Sequence, residues 1–411
     1  VNTNGHLRIA VVSSTCPPKG GGIAAAHCQL AKLLARRWEV RVFAYADSDQ
    51  QHEGHIERRN TLPWLGPILY WLGRRYVRRY NRQGIPVAVP RILRASCGAW
   101  RLNRPLRQFR PDVLIVPDHY VPLYWLRPPG GCKTIWFSNH NYLRFRGNPL
   151  LGASDWADTD IARSMERRAL RKAQAAICPC DYMAREFKRA YPSGLPLFKI
   201  PNWFDVESVQ SISPATFRAE KGWGPDLPVV YIPSGGSEFK GKRYVFEIIR
   251  RLSRLRNGSV RFLLSGHLPE DLQLELRTAG LLDKVHVPGH VAWTEILGCV
   301  KACDVGVSPT LIENFSMAII EALALGVPVV AFDTGGNREI ISHGESGWIV
   351  PYLDVDALVA RAFELLQNPG QRAEMARAGT SNMLELLAPD RLLCMYENLF
   401  NQVEPACRPA V

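Results

Sequence analysis

Two carboxylates, Glu313 and Glu321, mark the run "ENFSMAIIEALALGVPVVAF". From Ser316 to Leu325 every residue after the first is apolar or Ala except Glu321, and the run stops at Gly326, followed by Pro328 and a Val-Val pair. This reads as a helix, a Gly stop and a buried strand. A helix apolar on all sides belongs in an interior, and there an unpaired carboxylate is costly. Glu321 therefore has a protein partner or a ligand to hold. At the helix start, Asn314, Phe315, Ser316 and Met317 offer unpaired N–H groups and partial positive charge, a seat for phosphate. Glu321 lies about five residues further in, roughly 7 Å along the axis. Its two acceptor oxygens suit the 2′- and 3′-hydroxyls of a ribose at that distance from a diphosphate. Glu313, in the loop before the helix, would point at whatever hangs from the far phosphate. The spacing fits a nucleoside diphosphate carrying a further group. The other reading pairs Glu321 with a neighbouring Arg and leaves Glu313 a solvated loop charge.

The elements that must position these residues form two series. "LRIAVVSS" (7–14) reads as a buried strand, "KGGG" (19–22) as a Gly-rich turn, "IAAAHCQLAKLLARRW" as an amphipathic helix and "EVRVFAY" as the next strand, a β-α-β opening of a parallel sheet. "DVLIVP", "KTIWFS" and "AAICP" continue it. A second series runs through "PVVYIPS", "VRFLLSG", "KVHVPGH", "DVGVSP", "PVVAF" and "GWIVP", with helical patterns between. The fold class expected is α/β, with two Rossmann-like, doubly wound domains joined near "KIPNWFDVES". Ligands bind such sheets beyond the carboxyl ends of the strands, so a shared ligand is expected in a cleft between the domains. The domains expected are 1–200, 201–388 and a C-terminal helix, 389–411, returning toward the first.

At 411 residues, with 46% hydrophobic and 22% charged residues, the chain has room for two domains and lies outside the disordered range. The start "VNTNGHLRIAVVSS" lacks the basic and apolar parts of a signal peptide, and no run reaches the length of a spanning helix. The ten cysteines are scattered without a pair of CxxC motifs, and are read as buried free thiols. Net charge is +13, but residues 1–200 carry 32 Lys+Arg against 13 Asp+Glu while the remainder carries 19 against 25. The first half is expected to meet something anionic.

The segment "ENFSMAIIEALALGVPVVAFDTGGNREIISHGESGWIVP" closely resembles the E-x7-E motif of the retaining glycosyltransferases of family four, which have the GT-B fold. "PPKGGGIAAAHCQLAKLLARRWEVRVF", "PDVLIVPDH", "IWFSNHN", "AQAAICPCDYMAREF" and "KIPNWFD" resemble that family's segments in order. The resemblance implies that Glu321 binds the donor ribose and that Glu313 approaches the transferred sugar. The N–H groups of Asn314, Phe315, Ser316 and Met317 would hold sugar hydroxyls and diphosphate. Val291, in "GHVAW", would contact the nucleobase through its backbone, and His140, in "SNHN", would lie near the reaction centre. Gly21 and Gly22 would let backbone approach the sugar-phosphate or acceptor. One feature departs from the family: in "PSGGSEFKGKRYV", Lys240-Gly241 keeps the family's K-G, but Gly235 stands where an Arg usually grips the diphosphate, and Lys242 or Arg243 would have to replace it.

No cofactor is expected. Lys240 and the Asn314–Met317 N–H groups can meet the leaving group's growing charge, doing the work that a cation held by a D-x-D motif would do. "DTD" (158–160) reads as a solvated charge run flanking a helix. Metal independence follows as an expectation, and retention by same-face attack is what the family implies.

Residues 58–111 hold thirteen Arg and no acidic residue. Within them the segment 62–83 joins Trp64 and Trp71 to Arg74, Arg75, Arg78 and Arg79. Aromatic and apolar residues beside Arg, in a stretch too short to span, suit a membrane interface. The plainer reading packs Trp64, Leu65, Ile68, Leu69 and Trp71 into the domain core. Nucleic acid is not expected as a partner, because the pI near 9.4 comes without a nucleic-acid-binding motif. The function expected is transfer from a nucleotide sugar to a lipid-linked or cell-envelope saccharide, by a cytoplasmic protein peripheral at the inner membrane face. A nucleotide-sugar epimerase or hydrolase, and a non-catalytic saccharide- or membrane-binding relative, are the competing functions.

Overall fold

In the computed structural model of the chain, residues 7–16, 22–46, 52–53, 56–58, 64–81, 86–145, 156–192, 194–233 and 235–405 are described. The chain divides into two units, Val1–Phe204 with Pro389–Val411, and Asp205–Ala388.

The first unit is built on β1 (Arg8–Ser13), β2 (Glu39–Ala44), β3 (His52–Glu53), β4 (Ile56–Arg58), β5 (Val113–Pro117), β6 (Lys133–Phe137), β7 (Ala175–Cys178) and β8 (Leu197–Lys199). Their order is β3-β4-β2-β1-β5-β6-β7-β8, and every pairing is parallel except β3 with β4. Strands such as Val113–Pro117 are buried throughout, which is why they read as unbroken apolar runs. The helix Pro389–Gln402 belongs to this unit. Lys133 Nζ donates to Phe400 O (2.6 Å), Arg37 pairs with Glu397 (2.7 Å), and the Trp38 and Phe400 rings meet edge to face.

The second unit carries β9 (Val229–Ile232), β10 (Arg261–Leu264), β11 (Val285–His286), β12 (Val305–Ser308), β13 (Val329–Phe332) and β14 (Gly347–Val350). They are all parallel, in the order β11-β10-β9-β12-β13-β14, the strand order of a dinucleotide-binding sheet. The helix Lys242–Leu255 buries Val245, Ile248, Ile249 and Leu252 against it. Each such side chain contributes about 1.5–3 kcal/mol by leaving water, and the basic residues between them stay on the wet face. In each sheet the order reverses at the first strand, between β9 and β12 and between β1 and β5. In doubly wound sheets this reversal is where ligands bind, in the crevice beyond the carboxyl ends of those strands.

The "DTD" run is not solvated. Asp158 lies inside the helix Trp156–Leu170 and is buried. Its carboxylate accepts the N–H groups of Val87 (2.7 Å), Ala88 (2.6 Å) and Val89 (2.7 Å). These are the orphan donors at the start of the helix Ala88–Arg101, so the charge is an N-terminal cap supplied from another helix.

Candidate active site

The crevice between β9 and β12 places two loops side by side. After β9 the chain makes a short turn, Glu238–Lys240, and enters Gly241 at φ +85°. A Cβ there would stand 2.0 Å from Pro309 O, in the loop after β12, so only glycine lets the loops meet. Phe239 O then accepts the N–H groups of Leu311 (2.9 Å) and Ile312 (3.1 Å). With the loops locked this way, Lys240 Nζ sits 2.7 Å from Glu313 Oε2. Glu313 Oε1 accepts Asn314 N–H (2.9 Å). Burial works to raise the Glu313 pKa, but the Lys240 ammonium, the Asn314 N–H and the Ser316 hydroxyl outweigh it and hold the carboxyl below its ordinary range. Gly335, at φ +59°, backs the turn so closely that a Cβ would stand 2.3 Å from Glu313 O.

The helix that follows is Met317–Ala324, with Ser316 as its N-cap. Phe315 and Ser316 are buried, and Glu321 is half-buried. No Arg or Lys pairs with Glu321 among the described residues. Its partner is the Trp293 indole, whose Nε1–H donates to Oε1 at 2.8 Å. One neutral donor does not offset burial, and the Glu321 pKa is pushed up to about 7. Trp293 is the first residue of the helix Trp293–Lys301, and Val291 lies two residues before it, in the loop after β11. Sequence reasoning missed Trp293 although it stands in the quoted "GHVAW". The contact spans 28 residues, and no local periodicity encodes it.

Gly235 is buried, and a Cβ on it would stand 3.2 Å from the Leu264 side chain. Lys242 pairs with Asp271 and, at 3.5 Å, with Glu238, while Arg243 lies 3.8 Å from Glu238. Both cations expected to replace the missing Arg are thus turned toward carboxylates, and Lys240 is set on Glu313.

His140 belongs to the first unit, in the loop leaving β6. Its N–H donates to Asp118 Oδ2 (2.6 Å), and its ring meets Tyr142 edge to face at 4.6 Å and His119 at 6.0 Å. Asp118 follows β5 directly and is fully buried, and burial raises its pKa well above the carboxylate range despite the His140 and Ser138 donors. Burial likewise lowers His140 well below 6.5, with His119 and Arg144 adding to it. His119 drops to about 4 and His27 to about 3, again through burial first. These imidazoles are neutral at pH 7, able to donate or accept a hydrogen bond but not to serve as standing cations. Asp118, His27 and Asn139, whose amide lies 3.3 Å from His27 Nε2, were not read as site residues from the sequence.

Gly22 opens the helix Gly22–Leu34, and Gly21 lies outside the described residues. Among the described residues no three His, Cys, Asp or Glu side chains gather as metal ligands, and no helix is long and apolar enough to cross a membrane. Trp64 is 65% exposed and Trp71 56%. They lie with Ile68, Leu72, Tyr76 and Tyr80, also exposed, along one side of the helix Leu65–Val77 and its following turn. The helix packs instead through Gly66, Gly73 and Val77. Arg75 lies over the Trp71 ring, 5.4 Å from its centroid, Arg78 and Arg79 are exposed, and Arg74 is half-exposed.

Two doubly wound sheets with strand-end loops of this kind define the GT-B class of glycosyltransferase. Residues 20–208 match Glycosyltransferase Family 4 and residues 215–382 match Glycosyl transferases group 1, and the chain belongs to the family-four glycosyltransferases. Alpha-D-kanosaminyltransferase of Streptomyces kanamyceticus is 27% identical over 223 residues, 53% of this chain and 57% of that protein. The GDP-mannose-dependent alpha-(1-6)-phosphatidylinositol monomannoside mannosyltransferase of Mycolicibacterium smegmatis is 26% identical over 296 residues, 66% of this chain and 77% of that one. The match thus spans little more than half the length of the first of these relatives. Among solved structures, Anabaena HepE in complex with UDP-glucose superposes with a TM-score of 0.68 at 18% identity, covering 96% of this chain and all of that one.

Proposed function

We propose that the chain is a retaining, metal-independent glycosyltransferase that moves a sugar from a nucleoside diphosphate sugar to a lipid-linked or cell-envelope saccharide. The observation that carries this reading is Glu321, a half-buried carboxylate with an indole donor and no cation partner among the described residues, on the helix that begins just after the Lys240–Glu313 pair. A ribose would supply the missing donors. The Asn314–Met317 N–H groups and Lys240 would meet the diphosphate, and Glu313 would accept a hydroxyl of the transferred sugar. As the sugar–phosphate bond breaks, negative charge grows on the leaving oxygen, where an ammonium and a helix end stabilise it most. Neutral His140 would serve as a hydrogen-bonding partner near the reacting sugar. The acceptor hydroxyl would attack from the leaving group's face, its proton passing to the departing phosphate, so that the anomeric configuration is kept. With no Arg at position 235, Lys240 would carry most of the clamp's charge.

The relatives support the donor class: one is a GDP-mannose-dependent phosphatidylinositol monomannoside mannosyltransferase, and HepE was solved with UDP-glucose. The exposed Trp–Arg side of the helix Leu65–Val77 supports an anionic membrane surface as the place where the acceptor is met. The test offers UDP-glucose and GDP-mannose with a panel of lipid-linked and soluble saccharides, in chelator, and reads the new anomeric signal by proton NMR. A product with the donor's configuration supports the proposal. An inverted product, activity restored only by manganese, or sugar released to water alone would overturn it, the last in favour of a hydrolase.

A further inference from the structure

A second concavity lies wholly in the first unit, where the helix Ala88–Arg101 gives way to the helix Asn103–Phe109. Its volume is about 560 Å³, and Trp100, Arg101, Arg104, Arg107, Gln108 and Arg127 line it, with no carboxylate among its walls. That volume lies within the range of small-ligand sites. The frame is rigid. Buried Asn103 donates to Trp100 O (2.8 Å) and Trp125 O (3.2 Å) and accepts Arg127 N–H (2.7 Å), tying the loop that carries Arg127 to the junction between the helices. The same loop is held at its start by Lys172, whose Nζ donates to Leu123 O, Tyr124 O and Leu126 O, each at 2.9 Å. On the helix Asn103–Phe109, Arg104, Arg107 and Gln108 share the exposed face while Pro105, Leu106 and Phe109 are buried opposite.

Protein-only physics does not favour this arrangement. Arg104, Arg107 and Arg127 have no acidic partner among the described residues, and gathering them around one hollow costs mutual repulsion. Beside them Trp100 is 61% exposed, a large apolar ring left in water at the rim. Guanidinium forks match carboxylate and sulfate oxygens in pairs. An indole face stacks on the C–H face of a pyranose, and the Gln108 amide can serve ring hydroxyls. Apart from Trp100 and Pro105 the lining is polar or charged, which disfavours an acyl chain.

We propose that this hollow binds an acidic saccharide, a sugar chain bearing carboxylate or sulfate groups, seated on Trp100 and held by Arg104, Arg107 and Arg127. The site does not depend on the donor reading, because it shares no residue with the Lys240–Glu313–Glu321 group.

The test measures binding of trigalacturonate to the full chain by titration calorimetry, with maltotriose, inorganic sulfate and phosphatidylglycerol vesicles as the other arms. UDP and GDP titrations run in parallel, so that failure of the donor reading is seen separately. The proposal expects trigalacturonate to bind and maltotriose not to. It expects Arg104→Ser/Arg107→Ser/Arg127→Ser to weaken binding about tenfold or more and Trp100→Ala several-fold. The corresponding Arg→Lys variant should recover only part of the loss, since an ammonium lacks the fork. All these side chains are exposed, so circular dichroism of each variant should match the parent. Trigalacturonate binding that ignores these substitutions would overturn the proposal. So would sulfate binding as tightly as trigalacturonate with no effect of Trp100→Ala, which would mark a simple anion patch. Vesicles binding through these residues while trigalacturonate does not would assign the hollow to lipid headgroups instead.

Discussion

Lys240 Nζ rests 2.7 Å from Glu313 Oε2, across a junction of two loops that only Gly241 permits. The pair holds both side chains in the crevice where the second sheet reverses its order. It also stores a cation that a diphosphate could draw away. A donor would offer Lys240 a stronger acceptor and leave Glu313 a sugar hydroxyl, so the contact exchanges partners instead of losing one.

Lys240→Met should therefore do two separable things. Turnover should fall about a hundredfold or more with a smaller change in KM, as expected for a charge felt most in the transition state. Stability at pH 7 should fall by roughly 1–2 kcal/mol, less than for a fully buried pair because Lys240 is a third exposed. The Glu313 carboxyl is held below its ordinary range, so its pairing contributes stability above the unfolded pKa and loses it as pH falls through the folded value. The stability gap between Lys240→Met and the parent should close in acid. Lys240→Met/Glu313→Gln should recover stability but not turnover, as read by urea unfolding and steady-state rates.

Glu321 has the opposite sign. Its pKa is raised to about 7 by burial, which the Trp293 donor only partly offsets. A ribose donates to the ionised form, so binding a nucleoside diphosphate should release a proton below pH 7. Affinity should weaken as pH falls from 8 toward 5.5 and level off above 8. Folding runs the other way: a raised pKa contributes stability in acid and loses it as pH rises through about 7, so Glu321→Gln should melt higher than the parent at pH 8 and close to it at pH 5. Trp293→Phe removes the donor that lowers the pKa, and should move the binding profile to higher pH. Calorimetry of UDP and GDP across this range, with melting curves of the same proteins, checks both signs.

The exposed side of the helix Leu65–Val77 should adsorb to anionic bilayers. Arg74→Ser/Arg75→Ser/Arg78→Ser/Arg79→Ser should reduce co-sedimentation with phosphatidylglycerol vesicles at low salt, each basic residue near the leaflet contributing about 1 kcal/mol. Trp64→Ala/Trp71→Ala should reduce it at both low and high salt, because the apolar contribution is not screened. Equal sedimentation of all variants would leave the exposed ring faces without this role.

Much of the scaffold was legible because buried parallel strands are continuous apolar runs and helix ends carry their own punctuation. "DVGVSP", "PVVAF" and the Gly326 stop fall on β12, β13 and the end of the helix Met317–Ala324. The short strands β3, β4 and β8 were missed, being two or three residues long and without a pattern of their own. What sequence order hides is contact at a distance. Asp158 reads as one charge in an acidic run, yet it caps a helix about 70 residues earlier. Trp293 reads as an ordinary helix start, yet it is the partner of Glu321. Exposure is hidden as well: Leu65 and Leu69 are only half-buried and Trp64, Ile68 and Trp71 face solvent, so none of the five is buried in the domain core. Two glycines and the close approach they allow, not any acidic motif, bring Lys240 to Glu313.

The most direct measurement is the dissociation constant of UDP and of GDP for the parent and for Glu321→Ala, taken by calorimetry at pH 8, where the carboxylate is ionised. At least one nucleotide should bind the parent, and the substitution should weaken it about thirtyfold, close to 2 kcal/mol, with the melting temperature held or raised. A parent that binds neither nucleotide, or a variant that binds as tightly as the parent, would contradict the assignment of Glu321 as the ribose acceptor.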